Sequence, residues 1–366
     1  MFLAQGISAK NKQHKSNILA NQFALSSSSL NYPPRFVYVI LPNQTRLLHN
    51  ALSQATPIDP RLNQAFSLLS AVQDSKSTTT GPDNICYEMF KHMSIKSLEV
   101  MLQLFNKIWF TGKIPSSWLH SIIVPIPKPN KPAHLPSSYR PISLTSNICK
   151  LFEKMIVCRL NLFLEYRNVL HILQSGFRQS RKTPDHILRL HDAIHKSLPN
   201  KRNVLSAFID VEKAYDMVNT EVLSKLLRYG ISGRMFNFIR SSLSNRTFQV
   251  RIGSTLSMTK RLDNGIPQGS VLSPIPFSLM INDLPKRITS PVALYADDVC
   301  VWECDSDITL LNQPCQLSLT KVCDWCAKCG FKLSSTKSAA VRNTNSQRNT
   351  IQHPSPCFCR TVPTFP

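Results

Sequence analysis

The stretch VALYADDVCVW, residues 292–302, sets Asp297 and Asp298 side by side between two short apolar, β-favouring runs. Apolar flanks argue for burial, and adjacent like charges in a buried setting resist ionisation. Locally the stretch reads as a hairpin, two strands about a tight turn with the carboxylates at its tip. Another acid, Asp210, closes a second strand-like run, VLSAFID (204–210). If those strands are neighbours in one sheet, Asp210 and Asp297 converge, and converging carboxylates repel unless a cation neutralises them. Magnesium suits such a place, because it takes oxygen ligands and combines one or two protein carboxylates with water and phosphate oxygens. Two such ions stabilise the attacking and leaving oxygens of an in-line phosphoryl transfer. The plainer alternative is an exposed acidic turn together with an exposed strand-end aspartate.

Around this core the pattern is mixed. Residues 1–60 are rich in Ser, Asn and Gln with little periodicity and read as poorly ordered. From Leu62 a helical pattern begins (Leu62, Phe66, Leu68, Leu69, Val72), and a long amphipathic stretch from Ile85 stops at Gly112 and Pro115. The run SIIVPIPKPNKP reads as a short strand with a Pro/Lys-rich loop. Residues 147–165, 184–198 and 234–243 read as helices. NTEVLSKLLRYG reads as another, capped by Asn219 or Thr220 and stopped by Gly230. TFQVRIG and STLSMTKRL pair as strands around Gly253. LSPIPFSLMINDLP reads as a helix with Pro274 and Pro276 in its first turn, and residues 308–329 as a further helix. Helices and hairpin strands in this order predict an α+β fold.

Composition narrows the partners. The chain of 366 residues carries a formal charge of +22, which points to a polyanion such as nucleic acid or, more blandly, to solubility. No run of about 18 apolar residues marks a membrane span. The N-terminus lacks a secretory layout, so the eleven cysteines are expected as free thiols in a reducing, intracellular compartment, nucleus or cytoplasm. Cys323, Cys326 and Cys329 have C-x2-C-x2-C spacing. A zinc reading would need distant Cys357 and Cys359, whereas a spacing of three equally suits small apolar residues on one helix face.

The sequence resembles the reverse transcriptases of non-LTR (LINE-type) retrotransposons. The matching stretches, in the family's order, are GPDNICYEMF, IPSSWLHSIIVPIPKPNKP, SYRPISLTSNICKLFEKMI, QSGFRQSRKTPDHIL, SAFIDVEKAYDMV, NGIPQGSVLSPIPFSLMINDLP and YADD, then Trp325 with GFKLSSTKS. They cover residues 65–340. The resemblance implies a right-hand polymerase with fingers, palm and a partial or degenerate thumb. It copies an RNA template onto a DNA primer from deoxynucleoside triphosphates with two Mg2+ ions, or Mn2+. Asp210 and Asp297 then correspond to the metal-binding palm carboxylates, and Asp298 to a supporting acid or ligand. Tyr215 corresponds to the aromatic that excludes a 2′-hydroxyl, and Gln268 with Gly269 to the contact with the incoming nucleotide. Arg140 corresponds to a fingers arginine on the triphosphate, and Lys337 to a lysine near the phosphates. Gly176, Phe177, Arg178, Arg181 and Lys182 match the template-contacting stretch. Each also has a structural reading: core tyrosine, β-turn, surface arginine, loop lysine, solvated basic loop.

The chain departs from the family pattern in places. Asn84 stands where the family has Gly, and Asn tolerates a left-handed conformation. Pro276 and Ser278 replace more helix-friendly residues. The expected layout is a poorly ordered segment at 1–60, a helical fingers extension at 61–120, fingers and palm at 121–340, and an unpatterned tail at 341–366 with the thumb truncated or absent. No counterpart of the family's preceding endonuclease is read in 1–60. The alternative function is a catalytically inactive nucleic-acid-binding relic of a mobile element. A further option is another palm polymerase, maturase-like or RNA-synthesising, against which Tyr215 argues.

Overall fold

A computed structural model describes residues 3–4, 7–8, 11–37, 68–179, 181–307 and 309–344. In chain order the helices are α1 (Lys12–Ser26), α2 (Leu68–Gln73), α3 (Tyr87–Lys91), α4 (Ile95–Thr111), α5 (Asn147–Tyr166), α6 (Thr183–Ser197), α7 (Glu221–Arg228), α8 (Gly233–Leu243), α9 (Pro274–Ile281) and α10 (Thr309–Cys329). The strands are β1 (Leu3–Ala4), β2 (Ile7–Ser8), β3 (His120–Pro127), β4 (Tyr139–Leu144), β5 (Asn203–Asp210), β6 (Arg246–Ile252), β7 (Thr255–Leu256), β8 (Lys260–Leu262), β9 (Val292–Tyr295), β10 (Asp298–Asp305) and β11 (Ala339–Asn343). Helices and strands are mixed, as an α+β class requires. Two compact units divide the chain: Met1–Asn31, Asn43–Arg167 and Tyr215–Pro276 in one, Tyr32–Pro42, Asn168–Ala214 and Phe277–Pro366 in the other.

The first unit holds a sheet in the order β4-β3-β6-β7, with β8 also pairing β6. β3 runs antiparallel to β4 and parallel to β6. Helix α1 lies against it, packing Leu19, Ala20 and Phe23 on Ile123, Phe248 and Val250. Within the 1–60 segment expected to be poorly ordered, residues 12–26 are thus helical: intervening Ser, Asn and Gln dilute the apolar signal, and burial against the sheet decides the outcome. Residues 38–67, including Leu62 and Phe66 of the expected pattern, lie outside the described residues. Helix α5 packs Phe152 against Phe105, Trp118 and Phe238, with ring centroids 4.9, 5.9 and 5.2 Å away. The amphipathic stretch from Ile85 is two helices rather than one, because Ser94 caps α4 by accepting the Ser97 N–H. Asn84 adopts φ 55°, the left-handed conformation expected of it.

The second unit holds a sheet in the order β11-β5-β10-β9. One face of β5 and β10 (Leu205, Ala207, Ile209, Val299, Val301) is buried. On the other face Val204, Ala293 and Trp302 form a smaller cluster with Leu190, Ala193 and Ile194 of α6. Strand β11 extends the regular structure to Asn343, past the expected limit at 340, by adding to the edge of β5. Residues 345–366, with Cys357, Cys359 and the region of the expected thumb, lie outside the described residues. Cys326 and Cys329 are buried on α10, Cys323 is partly so, and the cysteines among the described residues are free thiols. Among the described residues no helix is long and apolar enough to cross a membrane.

Candidate active site

Strand β5 ends with Asp210, and β10 begins with Asp298, so antiparallel pairing sets Asp298 directly opposite Asp210. Residues so paired project to the same face with side chains in contact range. Asp297 precedes Asp298 by one Cα–Cα step, which keeps its Cα within about 9 Å of that of Asp210. Asp298 thus faces Asp210 across the strand pair, and Asp297 stands one residue away in the turn. The turn is a two-residue link between Tyr295 and Asp298, with Ala296 at φ 55°. A non-glycine residue held at positive φ stores local strain.

Several contacts fix that turn. Gln174 is fully buried, and its Oε1 accepts the N–H groups of Gly176 (2.7 Å) and Ala296 (3.2 Å). Ser175 N–H donates to Leu294 O, and Leu294 N–H donates to Leu173 O, both at 3.1 Å. Gly176 abuts the turn so closely that a Cβ there would stand 2.3 Å from Ala296 N. Sequence reasoning missed Gln174, since an isolated polar residue in a loop carries no periodic signal.

Lys337 reaches Asp210 with its ammonium, Nζ to Oδ1 3.2 Å and to Oδ2 3.0 Å. Its loop is laced to β5: Ser334 N–H donates to Asp210 O, and Asp210 N–H donates to Ser338 Oγ. Burial raises the Asp297 carboxyl above the usual range and Asp210 adds to the rise, opposed by the Asp297 amide and Lys337. Asp298 is raised by burial, then by Asp297 and Asp210. A cavity of about 660 Å³ opens beside these groups. Its walls are largely apolar, with Ile187, Leu190, Ile194 and Phe208, and Asp210, Asp298 and Lys337 at its polar end.

Among the described residues no group of three His, Cys, Asp or Glu side chains is arranged to hold a metal ion. The donor set still fits magnesium, which needs only one or two carboxylates and fills its shell with water and phosphate oxygens. Of the template-contacting set, Phe177 is exposed at φ 59° and Lys182 caps α6. The Arg178 guanidinium donates to His171 O (3.0 Å) and Gln174 O (3.2 Å), so it braces its own loop. Arg181 is half-buried at the approach to α6.

In the first unit, Arg140 is exposed on β4, and Tyr215, Gln268 and Gly269 come together through the segment 265–272. Ile266 N–H donates to Tyr215 O (2.9 Å), Gly265 N–H to Val218 O (2.7 Å), and Ser143 N–H, from the strand of Arg140, to Gln268 O (2.8 Å). Gly269 has φ 137°, and a Cβ there would stand 2.3 Å from Ser143 O, so only glycine lets the two chains approach.

The family model for reverse transcriptase (RNA-dependent DNA polymerase) matches residues 126–353. The chain is 29% identical over 338 residues to a probable RNA-directed DNA polymerase from transposon BS of Drosophila melanogaster, covering 90% of this chain and 37% of that protein. It is 30% identical over 324 residues to the probable RNA-directed DNA polymerase from transposon X-element of the same species, covering 86% and 35%. A Pol polyprotein from the type-1 retrotransposable element R2 of Popillia japonica is 26% identical over 287 residues, covering 74% and 38%. The chain thus spans between a third and two fifths of the length of these relatives.

Proposed function

We propose, given that the chain belongs to the reverse transcriptase (RNA-dependent DNA polymerase) family of the kind carried by non-LTR retrotransposons, that it is the core of an RNA-directed DNA polymerase. It extends a DNA primer on an RNA template from deoxynucleoside triphosphates. The observation that carries this is the pairing of Asp298 opposite Asp210 at the head of a sheet, with Asp297 beside it. In this reading the second unit's sheet is the palm, and β3 and β4 belong to the fingers.

Asp210, Asp297 and Asp298 would hold two Mg2+ ions, or Mn2+. A metal held by these carboxylates would lower the pKa of the primer 3′-hydroxyl and would offset charge on the triphosphate. Repulsion of Asp297 and Asp298 by each other and by Asp210 supports this, since a cation relieves it. Arg140 presents a planar fork to triphosphate oxygens. Gln268 and Gly269 contact the incoming nucleotide, and Tyr215 closes the space that a 2′-hydroxyl would need. Lys337 serves the nucleotide phosphates, exchanging the Asp210 carboxylate for another anion. Gly176 and Phe177 line the template path, where Arg181 and Lys182 hold backbone phosphates and Arg178 keeps the loop in shape. Free thiols in the described part support an intracellular setting, nucleus or cytoplasm.

A net charge of +22 favours a second reading, an RNA-binding protein without catalysis. Primer extension on a homopolymer RNA template decides between them. Metal-dependent incorporation by the wild type, abolished in Asp297→Ala, is the expected result. Salt-sensitive RNA binding with no incorporation by either protein would establish the second. Ribonucleotide incorporation by Tyr215→Ala, but not by the wild type, would identify the gate.

A further inference from the structure

Helix α5 faces the first unit's core with Leu151, Phe152, Met155 and Ile156, and among them it carries the buried carboxylate of Glu153. A carboxylate in such a place is costly unless its oxygens are well satisfied. One short segment supplies most of their partners, with the Cys149 thiol 3.9 Å from Oε1 and the Lys150 charge nearby. Ser270 Oγ donates to Oε1 at 2.8 Å and lies 2.9 Å from Oε2, and Val271 N–H donates to Oε2 at 2.8 Å. Leu272 N–H points at the same oxygen from 3.4 Å. At the other end of the segment, the buried guanidinium of Arg246 on β6 donates to Gly265 O at 2.9 Å. The signs are complementary: an anion takes the N–H groups at 270–272 and a cation takes the carbonyl at 265. Gln268 and Gly269 lie between.

We propose that Glu153 and Arg246 are positioning residues for the nucleotide-contacting segment 265–272, a role that rests on the polymerase reading. Both hold main-chain groups, so they set the path of the backbone that presents Gln268. The remaining anchors, to Val218, Tyr215 and Ser143, are also main-chain. Burial raises the Glu153 carboxyl, opposed by Ser270 and the two amides. Burial also lowers Arg246 to about 10, opposed by Glu153 and Asp216. Neither charge would sit there cheaply without the segment it holds.

The test uses the 366-residue chain with an RNA template, a DNA primer and a single deoxynucleotide. Glu153→Ala is expected to raise KM for the deoxynucleotide about tenfold while kcat and primer–template affinity stay within about threefold, as for loss of one well-made hydrogen-bonding site. Glu153→Gln keeps an acceptor for Val271 N–H and should recover most of that loss. Arg246→Lys should raise KM in the same direction. Hydrogen exchange gives a reading free of catalysis: amides at 270–272 should exchange faster in Glu153→Ala, while β5 and β10 keep wild-type protection. Should Glu153→Ala fail to fold, Ser270→Ala, which removes one donor, decides by a roughly threefold rise in KM. Wild-type KM in a folded Glu153→Ala, or equal loss of kcat and thermal midpoint with KM unchanged, overturns the proposal. A wild type that incorporates nothing overturns the polymerase reading instead, and the exchange experiment still tests the anchor.

Discussion

At the residue scale, the geometry turns on single charges. Lys337 touches both oxygens of Asp210, while Asp298 stands across from it, so one ammonium offsets two or three carboxylates. Lys337 is largely exposed, which limits the worth of the pair to below about 1 kcal/mol. Lys337→Ala is therefore expected to lower the thermal midpoint by roughly 1–3 °C in a chelator. Millimolar magnesium should narrow that gap, because a bound cation then does the same work; scanning calorimetry in both buffers checks it. Glu153 behaves differently. Its pKa is raised by burial, so its contribution to stability is present below the ordinary glutamate range and is lost as pH rises through the raised value. Against permanently neutral Glu153→Gln, the wild type should thus lose relative stability as pH rises above the ordinary glutamate range, measured by unfolding across a pH series. The aspartates were legible in the sequence because strand ends and a tight turn mark their places. Glu153, Gln174 and Arg246 were not, since nothing local tells a satisfied buried polar group from an exposed one. The same holds for the Arg178 guanidinium, whose bonds to the His171 and Gln174 carbonyls no local pattern announces.

At the scale of elements, the strands and long helices followed periodicity and punctuation. Two of the departures came from packing and capping. Helix α1 owes its existence to three side chains buried on β3 and β6, and Ser94 splits a run that amphipathicity alone would continue. Turn chemistry was readable where residue type decides it. Asn84 at φ 55° is the case in point. Asn84→Gly should leave stability unchanged within a few tenths of a kcal/mol, whereas Asn84→Val should cost about 1–2 kcal/mol, measured by denaturant unfolding. Close approach was not readable. Gly269→Ala must push the segment off Ser143 O, and Gly176→Ala must push on the turn at Ala296. Both substitutions should depress incorporation at least about tenfold, with circular dichroism near that of the wild type.

At the scale of the molecule, the charge of +22 acts on any polyanion regardless of sequence. RNA affinity should fall linearly with the logarithm of salt concentration. The double variant Arg181→Ala with Lys182→Ala should reduce the slope by up to about 2, while Arg178→Ala, whose guanidinium faces carbonyls, should alter the slope less and stability more. Filter binding over a salt series measures both. Asp297→Ala should bind RNA as the wild type does or slightly better, because it removes a negative charge.

Under the proposed polymerase function, pairing Asp298 with Asp210 across two antiparallel strands would make catalysis answerable to alignment. Sliding β10 by a single position would turn its acid to the opposite side of the sheet. A preparation with full helical content and native mass could be inert for that reason alone. Specific activity per mole of protein is thus a gauge of correct strand assembly, sensitive to an error that spectroscopy of the backbone would pass over.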